Sequence, residues 1–372
     1  MSSILSQIHK WDVMTILIYV SVIALSTIFA CIYQNKKHLN NSVIYLILAF
    51  LPIWVMLAFA DCGADYKNYE HFFLHSLEPQ YWITGEMERG FLLLLAMVRL
   101  FTDNFAVFHV LWATAMLSIV FCTIRHYKDV IHVGYAMFAF SALYCIQSMN
   151  IMRIFFAAAI VLYATRYLIN RQSGKYCVMI LLAMMIHISS VVMLLPLVFV
   201  WCFPSRRRYF LKFVVFILGF FIIYLLKNLI FGGNILGYSY GLNQDFSFGI
   251  ANVIYHIPLF VLFLKIKNNK HFDSRVNIIF FTLIMMSFVV GWISYFVNLI
   301  GRMYVYFESI YVLFPAYYFN SLPSDNGKEK KRFFTNRGLY VTLFIAVVVL
   351  KAFMWTEYFE TDMTMPYSWI FN

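Results

Sequence analysis

The ionisable side chains inside or beside apolar segments are the residues of this chain that could do chemistry. Arg153 interrupts an apolar stretch from 131 to 170, Arg302 lies between two apolar runs, and His187 is in the middle of the run MMIHISSVVMLLP. Charged and polar groups at membrane depth are costly, so such residues are usually functional. The two arginines predict an anion site, because a guanidinium fork fits phosphate oxygens. Each arginine could equally anchor a helix end, and His187 could be a hydrogen-bonded core residue.

A second set of candidates lies in the acidic segment 61–89. Asp65, Tyr66 and Tyr69 fall on one side of a predicted helix, at spacings near i, i+1 and i+4. The tyrosines could orient a sugar ring beside a carboxylate. Alternatively, this segment is a solvated acidic face.

Glu88 and Arg89 stand where the chain enters the short apolar segment 90–102. We therefore expect their charges to be partly desolvated. A carboxylate in such a place can have a raised pKa and act as a general base.

The composition indicates which elements must position these residues. Of 372 residues, 63% are hydrophobic and 12% are charged, whereas soluble domains are about 25% charged. These values exclude a soluble globule, a disordered chain and a secreted disulfide scaffold, and they predict a polytopic membrane protein. The net charge of +11 does not indicate nucleic-acid binding, because the basic residues lie in short clusters between apolar runs. The six cysteines form no framework and no CxxC or HExxH motif occurs, so we predict neither a metal nor a cofactor.

Ten apolar runs are long enough to be membrane-spanning helices, which need about 20 residues each. They are 12–33, 43–60, 104–124, 131–150, 154–170, 212–231, 250–267, 276–297, 303–320 and 338–356. The segment 90–102 is too short for a crossing and 176–203 is too long for one simple helix. The predicted fold class is an all-α polytopic membrane protein, one integral domain over 1–372. It has about ten full crossings and two re-entrant or broken helices, at 90–102 and 176–203.

The distribution of Lys and Arg predicts the sidedness of the loops. Most of the 28 basic residues fall in one set of loops, which includes 204–212, 265–275 and 321–337, and we place this set in the cytoplasm. The acidic loop 61–89, the loop 232–249 and both termini are then outside. This assignment requires both 90–102 and 176–203 to enter and leave the membrane on the same side.

Six blocks of the sequence, taken in order, resemble the EpsG-like polysaccharide polymerases, which are Wzy-type proteins of bacterial exopolysaccharide, capsule and O-antigen synthesis. The blocks are FADCGADYKNYEHFF, EMERGFLLLL, IMRIFFAAAI, IHISSVVMLLPL, GRMYVYFESIYVLFP and MPYSW. The residues that match the family elements are Asp65, Tyr66, Tyr69, Glu88, Phe91, Arg153, His187, Ser189, Pro196, Arg302 and Tyr306. Two positions depart from the family pattern. Asp61 lies in the region where an arginine is frequent, and Ile154 follows Arg153 where a glutamine is common.

The resemblance implies a glycosyltransferase of GT-C-like architecture in the bacterial cytoplasmic membrane, with its active site toward the outside. Its substrates would be oligosaccharide repeat units on undecaprenyl pyrophosphate, which it would polymerise into a surface polysaccharide. Implied partners are membrane lipids, a chain-length regulator and a flippase of the same pathway. A flippase or other transporter, a membrane acyltransferase and a ligase are the alternatives.

The resemblance also implies roles for the candidate residues. Arg153 and Arg302 are expected to bind the lipid pyrophosphate, and Arg89, Tyr66, Tyr69, Tyr306 and Asp61 to contact the substrates. Three groups could accept the proton of the acceptor hydroxyl. We rank Asp65 first, His187 second because burial limits its reach, and Glu88 third because the adjacent Arg89 favours its ionised form.

Overall fold

The computed structural model describes residues 13–39, 41–63, 65–85, 87–204, 209–226, 234–235, 238–239, 250–266, 274–295, 297, 300–320 and 330–353. The chain divides into two compact units. The first unit comprises Met1–Ala159, Met185–His187 and Val348–Asn372, and the second comprises Ile160–Met184 and Ile188–Val347. The described residues are almost entirely helical, which confirms the predicted all-α class.

The first unit contains long apolar helices and the short helices that connect them. They are α1 (Val13–Lys36), α2 (Val43–Ala58), α3 (Tyr66–Leu74), α4 (Pro79–Thr84), α5 (Arg89–Arg99), α6 (Phe105–Tyr127), α7 (Val133–Phe140), a π-helical turn (Ser141–Cys145), α8 (Ile146–Ser148) and the beginning of α9 (Met152–Ile169). Helix α1 packs against α2 and α7, α2 packs against α6, and α3 packs against α5 and α6. The side chain of Asn104 caps α6 by accepting the N–H of Ala106 at 2.9 Å. The short helices α3, α4 and α5 therefore lie on a framework of apolar helices.

The second unit is built around one buried helix. In chain order it contains the rest of α9 from Ile160, α10 (Ser173–Ile186) as far as Met184, a 3₁₀ helix (Ile188–Met193), α11 (Leu194–Cys202), α12 (Tyr209–Leu225), β1 (Asn234–Ile235), β2 (Tyr238–Ser239), α13 (Ile250–Ile266), α14 (Ser274–Ile293), α15 (Gly301–Phe307), α16 (Ser309–Asn320) and most of α17 (Lys330–Phe353). Helix α14 packs against α11, α12, α13, α15 and α16. The two strands pair antiparallel, with Asn234 opposite Ser239.

Four described helices are long and apolar enough to cross a membrane. They are Met14–Lys36, Phe105–Tyr127, Met152–Ile169 and Arg275–Ile293. Seven further apolar helices have fewer than 18 residues. The described part of each of the ten predicted apolar runs is mainly helical, and the total of ten crossings and the GT-C likeness stay predictions.

The segment 176–203 is broken at His187, between α10 and the 3₁₀ helix. Pro196 lies in the first turn of α11, and because proline lacks an N–H, it cannot close an α-helical bond to the fourth residue before it. The hydroxyl of Tyr176 donates to the carbonyl oxygen of Met193 at 2.6 Å, which holds α10 against the end of the 3₁₀ helix. The break thus leaves His187 outside regular helix.

Several predicted boundaries differ from the observed ones. The predicted loop 204–212 ends early, because α12 begins at Tyr209 and Lys212 is a buried helical residue. The predicted helix 303–320 is interrupted at Glu308, and α17 begins at Lys330, inside the predicted loop 321–337.

Some predicted features lie outside the described residues. They are Glu86, Arg206, Arg207, Arg208, the segment 267–273, the segment 321–329, the tail from 354 with the block MPYSW, and the loop 232–249 apart from its two short strands.

Candidate active site

Glu88 is the centre of a buried polar cluster in the first unit. Its Oε1 lies 2.5 Å from Nδ1 of His187, and its Oε2 accepts a hydrogen bond from Nη1 of Arg153. The side chains of His187, Glu88 and Arg153 are 5%, 10% and 18% exposed. A carboxylate so far removed from water requires partners of this kind. These three residues are called the Glu88 cluster below.

The three members come from separate parts of the chain. Glu88 has extended backbone angles and immediately precedes α5. Arg153 is the second residue of α9, and His187 lies in the break after α10. All three side chains therefore project from helix ends, where the backbone leaves regular structure and can direct a side chain inward.

A close backbone approach sets the distance between Glu88 and His187. A Cβ atom on Gly90 would overlap the carbonyl oxygen of Met185 and would lie 2.6 Å from the Met185 Cβ. Gly90 follows Glu88 by two residues, and Met185 precedes His187 by two. Only glycine permits this contact, so the start of α5 and the end of α10 come close enough for the two side chains to meet.

A second contact fixes the segment that leads to Arg153. Gly63 has φ +110°, and a Cβ there would lie 2.8 Å from the carbonyl oxygen of Met149. The N–H of Asp65 donates to Oδ1 of the buried Asn150 at 3.0 Å. The approach to α3 is thereby tied to the turn just before α9.

The electrostatics of the cluster keep Glu88 ionised. Burial alone would raise the pKa of Glu88, but the hydrogen bond from His187 and the positive charge of Arg153 outweigh it and lower the pKa to about 2. A carboxylate with this pKa holds no proton near neutral pH. Glu88 is consequently a poor general base and a strong hydrogen-bond acceptor.

The ionised carboxylate also determines the tautomer of His187. A carboxylate only accepts hydrogen bonds, so Nδ1 of His187 must carry the proton that lies toward Oε1. In the neutral imidazole, Nε2 is then the nitrogen that bears the lone pair. This arrangement orients a histidine as a proton acceptor at Nε2 and stabilises the imidazolium formed when a proton arrives.

Tyr69 lies beside the Glu88 cluster, whereas Asp65 lies at the start of α3. The Arg153 guanidinium carbon is 5.8 Å from the centre of the buried Tyr69 ring, and the two side chains also share a hydrogen bond. Burial raises the pKa of the Tyr69 hydroxyl, so this group stays protonated. The half-buried Asp65 accepts a hydrogen bond from Nδ2 of Asn68 at 3.4 Å.

Three other predicted contact residues of the first unit differ in exposure. Tyr66 is buried, and its ring packs edge-on against Phe105 at 5.1 Å between centroids. Burial raises the pKa of Tyr66, and the negative charge of the exposed Asp61 raises it further. Arg89 is also exposed. The cation that pairs with Glu88 is thus Arg153, not the adjacent Arg89 that the sequence favoured.

The remaining candidates, Arg302 and Tyr306, lie on α15 in the second unit. Arg302 is exposed, and its predicted role in anion binding stays a prediction. Tyr306 is fully buried, with its hydroxyl 3.1 Å from Oγ of Ser189. This hydrogen bond joins α15 to the 3₁₀ helix. The predicted role of Tyr306 in substrate binding stays a prediction.

Sequence reasoning missed Asn150, Gly63, Gly90 and Met185, which position the cluster without belonging to it. The available signal was weak: an asparagine at the end of an apolar run, and a glycine two residues after a candidate acid. Within the described part of the chain, no group of three or more His, Cys, Asp and Glu side chains is arranged to hold a metal ion.

Comparison with known proteins identifies one family. A sequence model described as the EpsG family matches residues 43–369, which cover nearly the whole chain and all six blocks noted above. This match confirms the resemblance read from the sequence. No curated protein and no solved structure matches the chain.

Proposed function

Because the chain belongs to the EpsG family, a Wzy-like polysaccharide polymerase family, we propose that it polymerises oligosaccharide repeat units carried on undecaprenyl pyrophosphate. The reaction takes place at the outer face of the cytoplasmic membrane. The apolar helices support a membrane location, and the Glu88 cluster supports a catalytic centre. The single observation that carries the proposal is the buried carboxylate that binds both an arginine and a histidine.

In the proposed reaction, a hydroxyl of the acceptor repeat unit attacks the anomeric carbon of the lipid-linked donor chain. A new C–O bond forms at that carbon, and its bond to the pyrophosphate oxygen breaks. The electron pair of the broken bond leaves with the lipid pyrophosphate. The proton of the attacking hydroxyl passes to Nε2 of His187, which restores the charge balance at the acceptor.

His187 is the proposed base in preference to Asp65. Its Nδ1–H is held by the ionised Glu88, so the ring orientation is set before the substrate binds. Asp65 is half-buried next to Asn68, and it lies in a helix-start position that suits contact with a sugar hydroxyl. Glu88 is a positioning residue, because its lowered pKa removes it from proton transfer near neutral pH.

The arginines have separate proposed roles. Arg153 keeps Glu88 ionised, and its side chain is the most exposed of the three in the Glu88 cluster. Arg302 is exposed and is proposed to bind the leaving pyrophosphate, whose developing charge a guanidinium fork can stabilise without a metal. Tyr69, Tyr66, Asp61 and Arg89 remain proposed substrate contacts, whereas the buried Tyr306 is proposed to hold α15 against the 3₁₀ helix through Ser189.

The decisive experiment is an electrophoretic analysis of surface glycan from a deletion strain that carries the wild-type chain or a variant. We expect the polymer ladder to collapse to one repeat unit in the deletion strain and with His187→Ala. The matched control is His109→Ala, which removes another buried histidine of the first unit. A full ladder with His109→Ala shows that the loss is specific to His187.

Other outcomes identify the alternatives. If the protein were a flippase, the deletion strain would lack even the single repeat unit at its surface. If it were an acyltransferase, the deletion would leave the ladder intact, and the glycan would lack an acyl group. If it were a ligase, the deletion strain would accumulate lipid-linked polymer that never reaches its final acceptor. Any of these results would overturn the polymerase proposal.

A further inference from the structure

A cavity of about 370 Å³ lies in the second unit, where the ends of several helices meet. Arg171 follows the end of α9, Ser173 begins α10, and Arg275 is in the first turn of α14. The other lining residues are apolar and include Trp201 of α11 and Ile278 of α14. The cavity does not include any residue of the Glu88 cluster.

The charge of the cavity wall is positive. Among the described residues that line it, Arg171 and Arg275 are charged and none is Asp or Glu. Nε and Nη2 of Arg275 donate to the carbonyl oxygens of Ile169 and Leu168 at 2.7 and 2.8 Å. These bonds hold the guanidinium at the end of α9, so its charge is fixed in place before any ligand arrives.

Arg171 occupies a backbone position that normally selects glycine. The N–H of Gln172 bonds to the Tyr167 carbonyl at 2.9 Å and that of Arg171 to the Leu168 carbonyl at 3.4 Å, which is a Schellman ending of α9. Arg171 has φ +59°, the left-handed conformation, and is the only non-glycine residue with positive φ in the described part of the chain. A long cationic side chain thus occupies a position whose backbone conformation favours glycine.

The apolar wall indicates that the ligand also has a hydrocarbon part. Trp201 is 62% exposed, and tryptophan is enriched where membrane helices meet the headgroup layer. Two lining residues, Pro204 and Arg275, are the first and the last residue of the predicted loops 204–212 and 265–275, which the positive-inside rule places in the cytoplasm. In sequence, Pro204 of the cavity wall is followed closely by Arg206, Arg207 and Arg208, which lie outside the described residues.

We propose that this cavity binds the headgroup phosphate of an anionic phospholipid of the cytoplasmic leaflet, between Arg171 and Arg275, with an acyl chain along Trp201. Two guanidinium groups match the phosphate, and they repel the cationic group that a zwitterionic headgroup carries. The exposed indole offers the chain a surface at the membrane boundary. This site is separate from the proposed polymerase chemistry and goes beyond it.

The test uses the purified full-length chain in detergent, titrated with short-chain phosphatidylglycerol or phosphatidylcholine. The informative variant is Arg171→Gly, because glycine is the preferred residue at this positive φ and removes the guanidinium without backbone strain. The matched control is Lys175→Gln, which removes one positive charge from an exposed residue of α10 that does not line the cavity.

We expect Arg171→Gly to weaken phosphatidylglycerol binding about tenfold, the loss typical of one charge-assisted hydrogen bond. Lys175→Gln should bind like the wild type, and phosphatidylcholine should bind more weakly than phosphatidylglycerol to the wild type. An equal loss of phosphatidylglycerol affinity in both variants would show that only the overall positive charge matters. That result would overturn the proposal.

A competition arm separates a lipid from a free phosphate. Glycerol 3-phosphate carries the phosphate without acyl chains, and we expect it to displace phosphatidylglycerol poorly. Displacement at comparable concentration would show a site for soluble phosphates and would overturn the lipid assignment. Unchanged binding in Arg171→Gly, with an unchanged melting temperature, would overturn the site itself.

Discussion

The carboxylate of Glu88 and the imidazole of His187 lie 99 positions apart in the sequence, and their Oε1 and Nδ1 atoms are 2.5 Å apart in the fold. The other carboxylate oxygen binds Arg153. One acidic group therefore orients a histidine and is itself kept ionised by an arginine. This is the arrangement that a positioned general base requires.

Glu88→Gln preserves the shape of the side chain and removes its charge. We expect turnover in an in vitro polymerisation assay to fall about 10²–10⁴-fold, because the amide neither fixes the proton on Nδ1 nor stabilises the imidazolium. Binding of the lipid-linked donor should be retained. The control is Glu78→Gln, since Glu78 also lies 2.5 Å from a histidine, His75, but with 44% of its side chain exposed. Normal turnover in Glu88→Gln would contradict the proposed positioning role.

The lowered pKa of Glu88 predicts that the wild type and Glu88→Gln differ in how their stability changes in acid. The pKa of Glu88 in the folded protein is about 2, below its ordinary value of 4.5. A group with a lowered folded-state pKa contributes stability that is present above pH 4.5 and is lost as the pH falls toward 2. The melting temperature of Glu88→Gln should thus decline less steeply than that of the wild type over this interval. Parallel declines would show that Glu88 does not titrate as described.

Gly90→Ala tests the backbone contact beneath the cluster. A Cβ at this position would collide with the Met185 backbone, so we expect the free energy of unfolding to fall by about 1–3 kcal/mol. Turnover should fall as well, because the start of α5 must move away from His187. Gly219→Ala is the control, since nothing lies within 4 Å of the added methyl group. Similar stability of the two variants would refute the close approach.

Tyr306→Phe separates a packing role from a substrate role. Removing the hydroxyl breaks the hydrogen bond with Ser189, and we expect a loss of about 0.5–1.5 kcal/mol in the free energy of unfolding. The KM for the acceptor should stay close to that of the wild type. Ser189→Ala should produce a similar loss, and the double variant should lose less than the sum of the two. An increased KM with unchanged stability would instead assign Tyr306 to the substrate.

Cysteine labelling tests the predicted sidedness. Lys67→Cys and Lys175→Cys introduce thiols at exposed positions of the first and second units, in a background that lacks the six native cysteines. An impermeant reagent should label position 67 in intact spheroplasts, because the loop 61–89 is predicted to be outside. Position 175 should react only after permeabilisation. The reverse pattern would invert the topology.

Much of the architecture followed from local composition. Apolar runs of sufficient length predicted helices, and the described part of each run is mainly helical, because a helix satisfies its own backbone hydrogen bonds whatever surrounds it. The interruption near His187 was also predictable, since 176–203 is too long for one helix and contains Pro196. The exact ends of the helices could not be predicted, as the start of α12 at Tyr209 and the interruption at Glu308 show.

The sequence by itself determined the class of the protein, its family and the identity of the groups that meet at the candidate site. Glu88, Arg153 and His187 were all candidates on the basis of residue type and place in an apolar chain. Their pairing was decided only by the tertiary structure, because it depends on contacts between helix ends that are far apart in sequence. The nearest cation in sequence, Arg89, is exposed, while the cation that pairs with Glu88 is Arg153, 65 positions away. Gly90 and Met185 set that geometry through a steric contact, which no property of either residue taken alone reveals.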